Sequence, residues 1–215
     1  MKLLAIETSG KLCGAAILEN NNLIDKIELN NGLTHSESLM PLIKQLLENN
    51  KIKLSEFDAF VCDIGPGSFT GIRIGVATIK AFVDTYANVK YTGVSSLEAL
   101  AYNVKKDGLI CSVIDCKNNN CYWALYNLGN EKYTEIIPPS TASFDELSNT
   151  LKKYKDNQIT FVGDGASTGL DTIKTSNLAL AGFNKISSGN ILELSPMYLK
   201  KPQAQRQLEE KLKKD

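Results

Sequence analysis

One histidine, His35, stands in the whole chain, and that closes most routes to side-chain catalysis. A His-X-X-X-His metal site needs two imidazoles one helical turn apart, and the second position is Leu39. A serine or cysteine triad would have to be built on His35, whose place between Thr34 and Ser36-Glu37 suits a helix cap or a surface side chain. The other candidates are carboxylates: Glu7, Asp63, Asp115 and Asp164, each at the end of a strand-like run, where α/β proteins gather their sites. Carboxylates there also shape turns, so chemistry and turn formation stay open for each. Arg73 and Arg206 are the only arginines and the glycine turns hold no lysine, which is thin equipment for phosphoryl transfer.

The other chemical candidate is Gly65-Pro66-Gly67-Ser68-Phe69-Thr70-Gly71-Ile72-Arg73-Ile74-Gly75. An apolar run over 59–64 reads as a strand, the glycines and proline force a turn, and a helix reads from Thr70. A helix N-terminus reached this way presents free N–H groups and partial positive charge, the makings of a phosphate cradle. A Walker-type loop fails on spacing and lacks its lysine, and a dinucleotide fingerprint fails because Thr70 takes the place of its third glycine. A ligand loop and a plain turn before a packing helix both remain.

The elements that would position these residues carry a second signal. In the helix from Thr70, Ile72, Val76, Ile79 and Val83 share one face, Gly71, Ile74, Ala77, Thr78 and Ala81 crowd the opposite one, and Arg73, Lys80 and Asp84 form a narrow wet strip. The helix opened by Thr34, with Glu37 three residues on as a capping box and Pro41 inside, spreads Leu39, Met40, Leu42, Ile43, Leu46 and Leu47 over about 160°, against about 100° for a minimal core stripe. Both helices are expected to carry apolar surface beyond one core. A charge at Ile74 or Leu46 is then expected to block a partner and leave the monomer folded.

Around them the order β-β-β-α-β-α is expected twice. Strands read over 2–6, 13–18, 23–29 and 59–64, a short one over 90–93, and a helix over 96–104. Strands again read over 109–114, 121–126 and 131–137, then a helix over 144–154, a strand over 158–162 and a glycine turn at Gly163-Asp164-Gly165 before a further helix. Two copies of one α/β unit are joined near 105–108. Residues 188–194 read as helix, 196–199 as extended and 203–214 as a charged helix or tail. With 24 basic and 24 acidic residues in 215, no global field draws the chain to nucleic acid or membrane. Five cysteines, mostly in apolar runs, indicate buried reduced thiols, and with neither a leader nor an apolar span near 18 residues the chain is expected in the cytoplasm.

The glycine segment, Leu4-Ala5-Ile6-Glu7-Thr8-Ser9, His35-Ser36-Glu37, Ile114-Asp115 with Tyr122, and Pro196-Met197-Tyr198-Leu199 together resemble the TsaB (YeaZ) family of bacterial tRNA threonylcarbamoyladenosine synthesis. The resemblance runs in order over nearly the whole chain and implies an α/β, actin-like ATPase (ASKHA) fold of two ribonuclease-H-like halves, here 1–105 and 106–215. It implies a non-catalytic relative of TsaD, the protein that transfers threonylcarbamoyl to N6 of adenosine 37 in tRNAs reading ANN codons. TsaD carries a two-histidine metal motif where His35 and Leu39 stand. Pairing with TsaD, or with a second copy as a homodimer, is implied through helices 36–49 and 70–86 packed as a four-helix bundle. The implied contacts are Leu39, Leu42, Ile43, Leu46, Gly71, Ile74, Ala77, Thr78 and Ala81. The ATPase TsaE joins the assembly, tRNA is reached only through it, and ATP and metal are expected on TsaD and TsaE, with no cofactor on this chain alone. Nucleotide at the junction would lie nearest Glu7, Thr8, Ser9, Gly65, Gly67 and Ser68.

The chain departs from the family pattern at Asp115-Cys116-Lys117, where members carry Asp-Ala-Arg, and at Lys200, where an arginine follows the Tyr-Leu pair. Lysine offers a point charge and no planar fork. The alternatives are a small ATP-dependent kinase of the same fold, needing phosphate loops at 7–10 and 115–118, and a metalloprotease, for which His35 lacks a partner ligand.

Overall fold

A computed structural model describes residues 1–30, 32–166 and 168–200. The first half runs β1 (Lys2–Glu7), β2 (Cys13–Glu19), β3 (Asn22–Leu29), α1 (His35–Asn50), β4 (Ala59–Gly65), α2 (Phe69–Thr85), β5 (Lys90–Ser95) and α3 (Ser96–Ala101). Its sheet has the order β3-β2-β1-β4-β5, with β1–β2 and β2–β3 antiparallel and β1–β4 and β4–β5 parallel. The second half runs β6 (Gly108–Asp115), β7 (Asn120–Gly129), β8 (Lys132–Ser143), α4 (Phe144–Leu151), β9 (Ile159–Val162) and α5 (Thr175–Ser188), with sheet order β8-β7-β6-β9. The three-strand meander followed by a parallel fourth strand therefore occurs twice, as the sequence pattern indicates.

The strands are apolar because both faces of the first sheet are covered. Side chains alternate along β1 and β4, so Leu4, Ile6, Phe60 and Cys62 face α1 and α2, while Leu3, Ala5 and Val61 face the opposite layer. That opposite layer is α5, whose Leu178, Ala179 and Ala181 join the same cluster. A division at 105/106 separates the two sheets, but α5 lies beyond it in sequence and packs on the sheet before it. The cluster also takes in Ile110, Ala124, Tyr126 and Leu128 of the second sheet through Leu97 and Leu100 of α3, so one core runs through both halves.

Two expectations change. Residues 189–194 are not helical: α5 ends at Ser188, Gly189 takes a left-handed conformation, and the chain runs back along β5. There Gly93 N–H donates to Leu192 O (2.9 Å), Leu192 N–H to Thr92 Oγ1 (3.0 Å) and Met197 N–H to Ile64 O (2.7 Å). Most of the apolar arc of α1 is not surplus, since Leu39, Leu42 and Ile43 are 1% exposed and Leu46 0%, leaving Met40 exposed and Leu47 half-buried. The expected helix over 203–214 lies outside the described residues. Among those described, no helix is long and apolar enough to cross a membrane.

Candidate functional site: a cleft and a helix face

The parallel β1–β4 register, Leu3 beside Ala59 through Ile6 beside Cys62, brings the ends of both strands together and with them Glu7 and Asp63. Glu7 Oε1 accepts from Ser9 N–H (2.7 Å) and Gly10 N–H (3.0 Å). Asp63 Oδ1 accepts from Gly65 N–H (2.7 Å) and from Ser96 Oγ at the start of α3 (2.6 Å). Ser9 Oγ lies 2.7 Å from Glu7 Oε1 and 3.0 Å from Asp63 Oδ2, so its single proton serves one of the two carboxyls. Glu7 Oε2 is buried with no other hydrogen-bond partner. Burial first, and the Asp63 charge second, hold the Glu7 carboxyl well above the usual carboxylate range. Two carboxyls sharing one buried pocket make it costly to ionise both.

On the facing wall, Asp115 N–H donates to Asp164 Oδ1 (2.9 Å), and Asp115 accepts from Lys117 N–H (2.7 Å) and lies 3.3 Å from its ammonium. Those Lys117 contacts, the backbone N–H above all, hold the Asp115 carboxyl below its ordinary range. Between the walls lies a cavity of about 560 Å³ lined by Glu7, Ser9, Gly67 and Ser68 from the first half and Asp115 and Asp164 from the second. Lys11 is the only basic side chain among its described lining residues.

Four of the six expected nucleotide-proximal residues thus meet in this cleft. Thr8 and Gly65 do not line it. Thr8 is fully buried under α2, its Oγ1 donating to Gly71 O (2.8 Å). The glycine segment works as a close-packing device: a Cβ at Gly71 would run into Thr8 O, one at Gly67 into Ser9 O, and Ser68 N–H is spent on Ser9 O (2.7 Å). Ser68 caps the helix by accepting from Gly71 N–H (3.2 Å). Of the ligand loop and the packing turn, the geometry favours the second.

The expected partner face is only partly present. Leu39, Leu42, Ile43 and Leu46 belong to this chain's own core, and Gly71 is buried against the β1 turn, so these five are not open to a partner. On α2, Ala77 and Ala81 are exposed and Ile74 and Thr78 half-buried, directed away from the buried Ile72, Val76 and Ile79. On the neighbouring α1 the exposed residues include Met40 (49% exposed), Pro41 and Lys44, with Leu47 half-buried. His35 is half-buried, with Nε2 3.3 Å from Leu12 O. The described residues contain no group of three His, Cys, Asp or Glu placed to hold a metal.

Sequence reasoning missed a contact at the start of α2. Tyr198 stacks on Phe69 (centroids 4.8 Å apart, planes 8° from parallel) and accepts from Arg73 Nε at 2.7 Å. The Pro196–Leu199 motif was visible, but nothing in spacing ties residue 198 to residue 73.

Among proteins of known family, residues 31–211 match the model for TsaD, tRNA N6-adenosine threonylcarbamoyltransferase. The chain is 32% identical over 168 residues to the tRNA threonylcarbamoyladenosine biosynthesis protein TsaB of Bacillus subtilis, covering 78% of this chain and 72% of that one. It is 30% identical over 129 residues to the TsaB of Escherichia coli, covering 59% and 55%. The solved structure of YeaZ from Pseudomonas aeruginosa superposes with a TM-score of 0.74 at 22% identity, over 92% of this chain and 99% of that one. The fold is therefore the actin-like one that the resemblance implies.

Proposed function

Because this chain belongs to the TsaB family of tRNA threonylcarbamoyladenosine biosynthesis proteins, we propose that it is the non-catalytic partner on which a TsaD-type threonylcarbamoyltransferase docks. The observation that carries this reading is the open α2 face, where Ile74, Ala77, Thr78 and Ala81 present small and apolar side chains, while α1, which packs against α2, leaves Met40 exposed and Leu47 half-buried. Small side chains let a second helix come close, and burying them on association is favourable.

Two features support a role without chemistry. Leu39, where the TsaD motif has its second histidine, is a core side chain, leaving His35 without a fellow ligand. In the cleft, Glu7 is held by Ser9 and Gly10, and among the described lining residues four carboxyls stand against Lys11 as the one cation, a charge balance unsuited to phosphates. ATP and metal then belong to TsaD and TsaE, the ATPase joins the assembly, tRNA is met through the complex, and the work is done in the cytoplasm.

The test is co-expression with the TsaD of the same organism, followed by size exclusion and by threonylcarbamoylation of unmodified tRNA. Wild type co-elutes with TsaD and supports modification, whereas Ile74→Glu with Ala77→Arg elutes as a folded monomer and supports none. A double variant that still co-elutes and still supports modification sinks the assignment of this face.

A further inference from the structure

The hairpin between β6 and β7 and the returning segment 190–200 meet at one point. Lys200 Nζ donates to Cys116 Sγ at 2.8 Å, lies 5.8 Å from the centroid of the Tyr122 ring, and acts on the Asp115 carboxylate. Cys116 is half-buried, whereas Cys13, Cys62, Cys111 and Cys121 are buried. Burial pushes Cys13 and Cys121 up to about 11 and Cys111 up to about 12, so those thiols stay protonated and unreactive. Reactive cysteines sit partly exposed beside a cation, and among the described cysteines Cys116 alone meets both conditions.

We propose that Cys116 and Lys200 form an oxidative cross-link, a sulfenamide that ties the returning segment to the β6–β7 hairpin. Hydrogen peroxide takes two electrons from the Cys116 sulfur, giving the sulfenic acid and one water. The Lys200 amine, after losing its extra proton to solvent, attacks that sulfur. The S–N bond forms, the S–O bond breaks, and the departing oxygen leaves as a second water with the proton shed by nitrogen. In sum a thiol, an amine and one peroxide become a sulfenamide and two waters. The sulfur and nitrogen already touch, so the second step needs no rearrangement of the chain. The tie holds the segment that carries Tyr198 against Phe69 and Arg73, at the start of α2.

The experiment exposes the full chain to a small excess of hydrogen peroxide, without reductant, and reads intact mass and a protease map. The expected result is a loss of ~2 Da, a linked peptide pair containing Cys116 and Lys200, and full reversal by dithiothreitol. Cys116→Ser shows no loss. Lys200→Arg shows no linked pair and is labelled at Cys116 by dimedone, which captures sulfenic acids. Two outcomes overturn the proposal: wild-type Cys116 labelled by dimedone as fully as the Lys200→Arg variant, or a mass loss that maps to a Cys116–Cys121 disulfide.

Discussion

Glu7 is the residue whose surroundings most constrain its chemistry. Its carboxyl is raised by burial and by Asp63, so folding binds a proton only in the pH range between its unfolded and folded values. For a group raised in this way, the contribution to stability is complete below its unfolded pKa and is lost as pH rises through the folded one. Glu7→Gln supplies an amide whose oxygen keeps the bonds from Ser9 and Gly10 and whose NH2 donates to Asp63 without a proton to lose. Urea midpoints across pH are expected to decline with rising pH more steeply for wild type than for Glu7→Gln, with the two within about 1 kcal/mol on the acid side. A variant that declines as steeply as wild type would show that Glu7 holds no extra proton. Gly71→Ala belongs to the same scale: its methyl meets Thr8 O, and a loss of about 2 kcal/mol or more is expected in the same measurement. Much of this site was legible, because strand ends name Glu7, Asp63, Asp115 and Asp164 directly. The pairing of Glu7 with Asp63 was not, since it depends on which strands lie side by side, a matter of register and not of composition.

At the scale of elements, α1 and α2 show where periodicity misleads. The wide apolar arc of α1 reads as surplus for a helix on an average surface, yet the chain's own core absorbs most of it, at Leu39, Leu42, Ile43 and Leu46. A sequence shows the width of a stripe but not the width of the surface that receives it. Leu46→Glu is therefore expected to unfold the protein, at a cost of about 3 kcal/mol or more, seen as lost helical circular dichroism and insoluble expression. Ala77→Arg, on the exposed side of α2, is expected to shift stability by no more than about 0.5 kcal/mol while abolishing co-elution with TsaD. The glycine spacing of α2 was also plain in sequence, and its purpose became clear only with Thr8 and Ser9 lying beneath it.

For the whole molecule, the doubled β-β-β-α-β-α order could be read because it is local, whereas the destination of α5 could not. Thr175–Ser188 crosses to the first sheet, and Leu3, Ala5 and Val61 are fully buried in the cluster it completes. Residues 1–105 expressed alone are thus expected to be unfolded or aggregated, each stranded large apolar side chain costing about 1.5–3 kcal/mol, and to regain native circular dichroism when co-expressed with residues 106–215. Native dichroism from the isolated fragment would show that α5 is dispensable. The same shared core sets a limit on motion. Lobes that bend toward one another need a seam of few contacts, and here Leu97, Leu100, Ile110 and Tyr126 fill the place where such a seam would lie. The cavity between the walls is therefore expected to keep its width whether or not anything enters it. A docking surface on so stiff a body surrenders little freedom when it is occupied, and the energy of contact goes into holding the visitor.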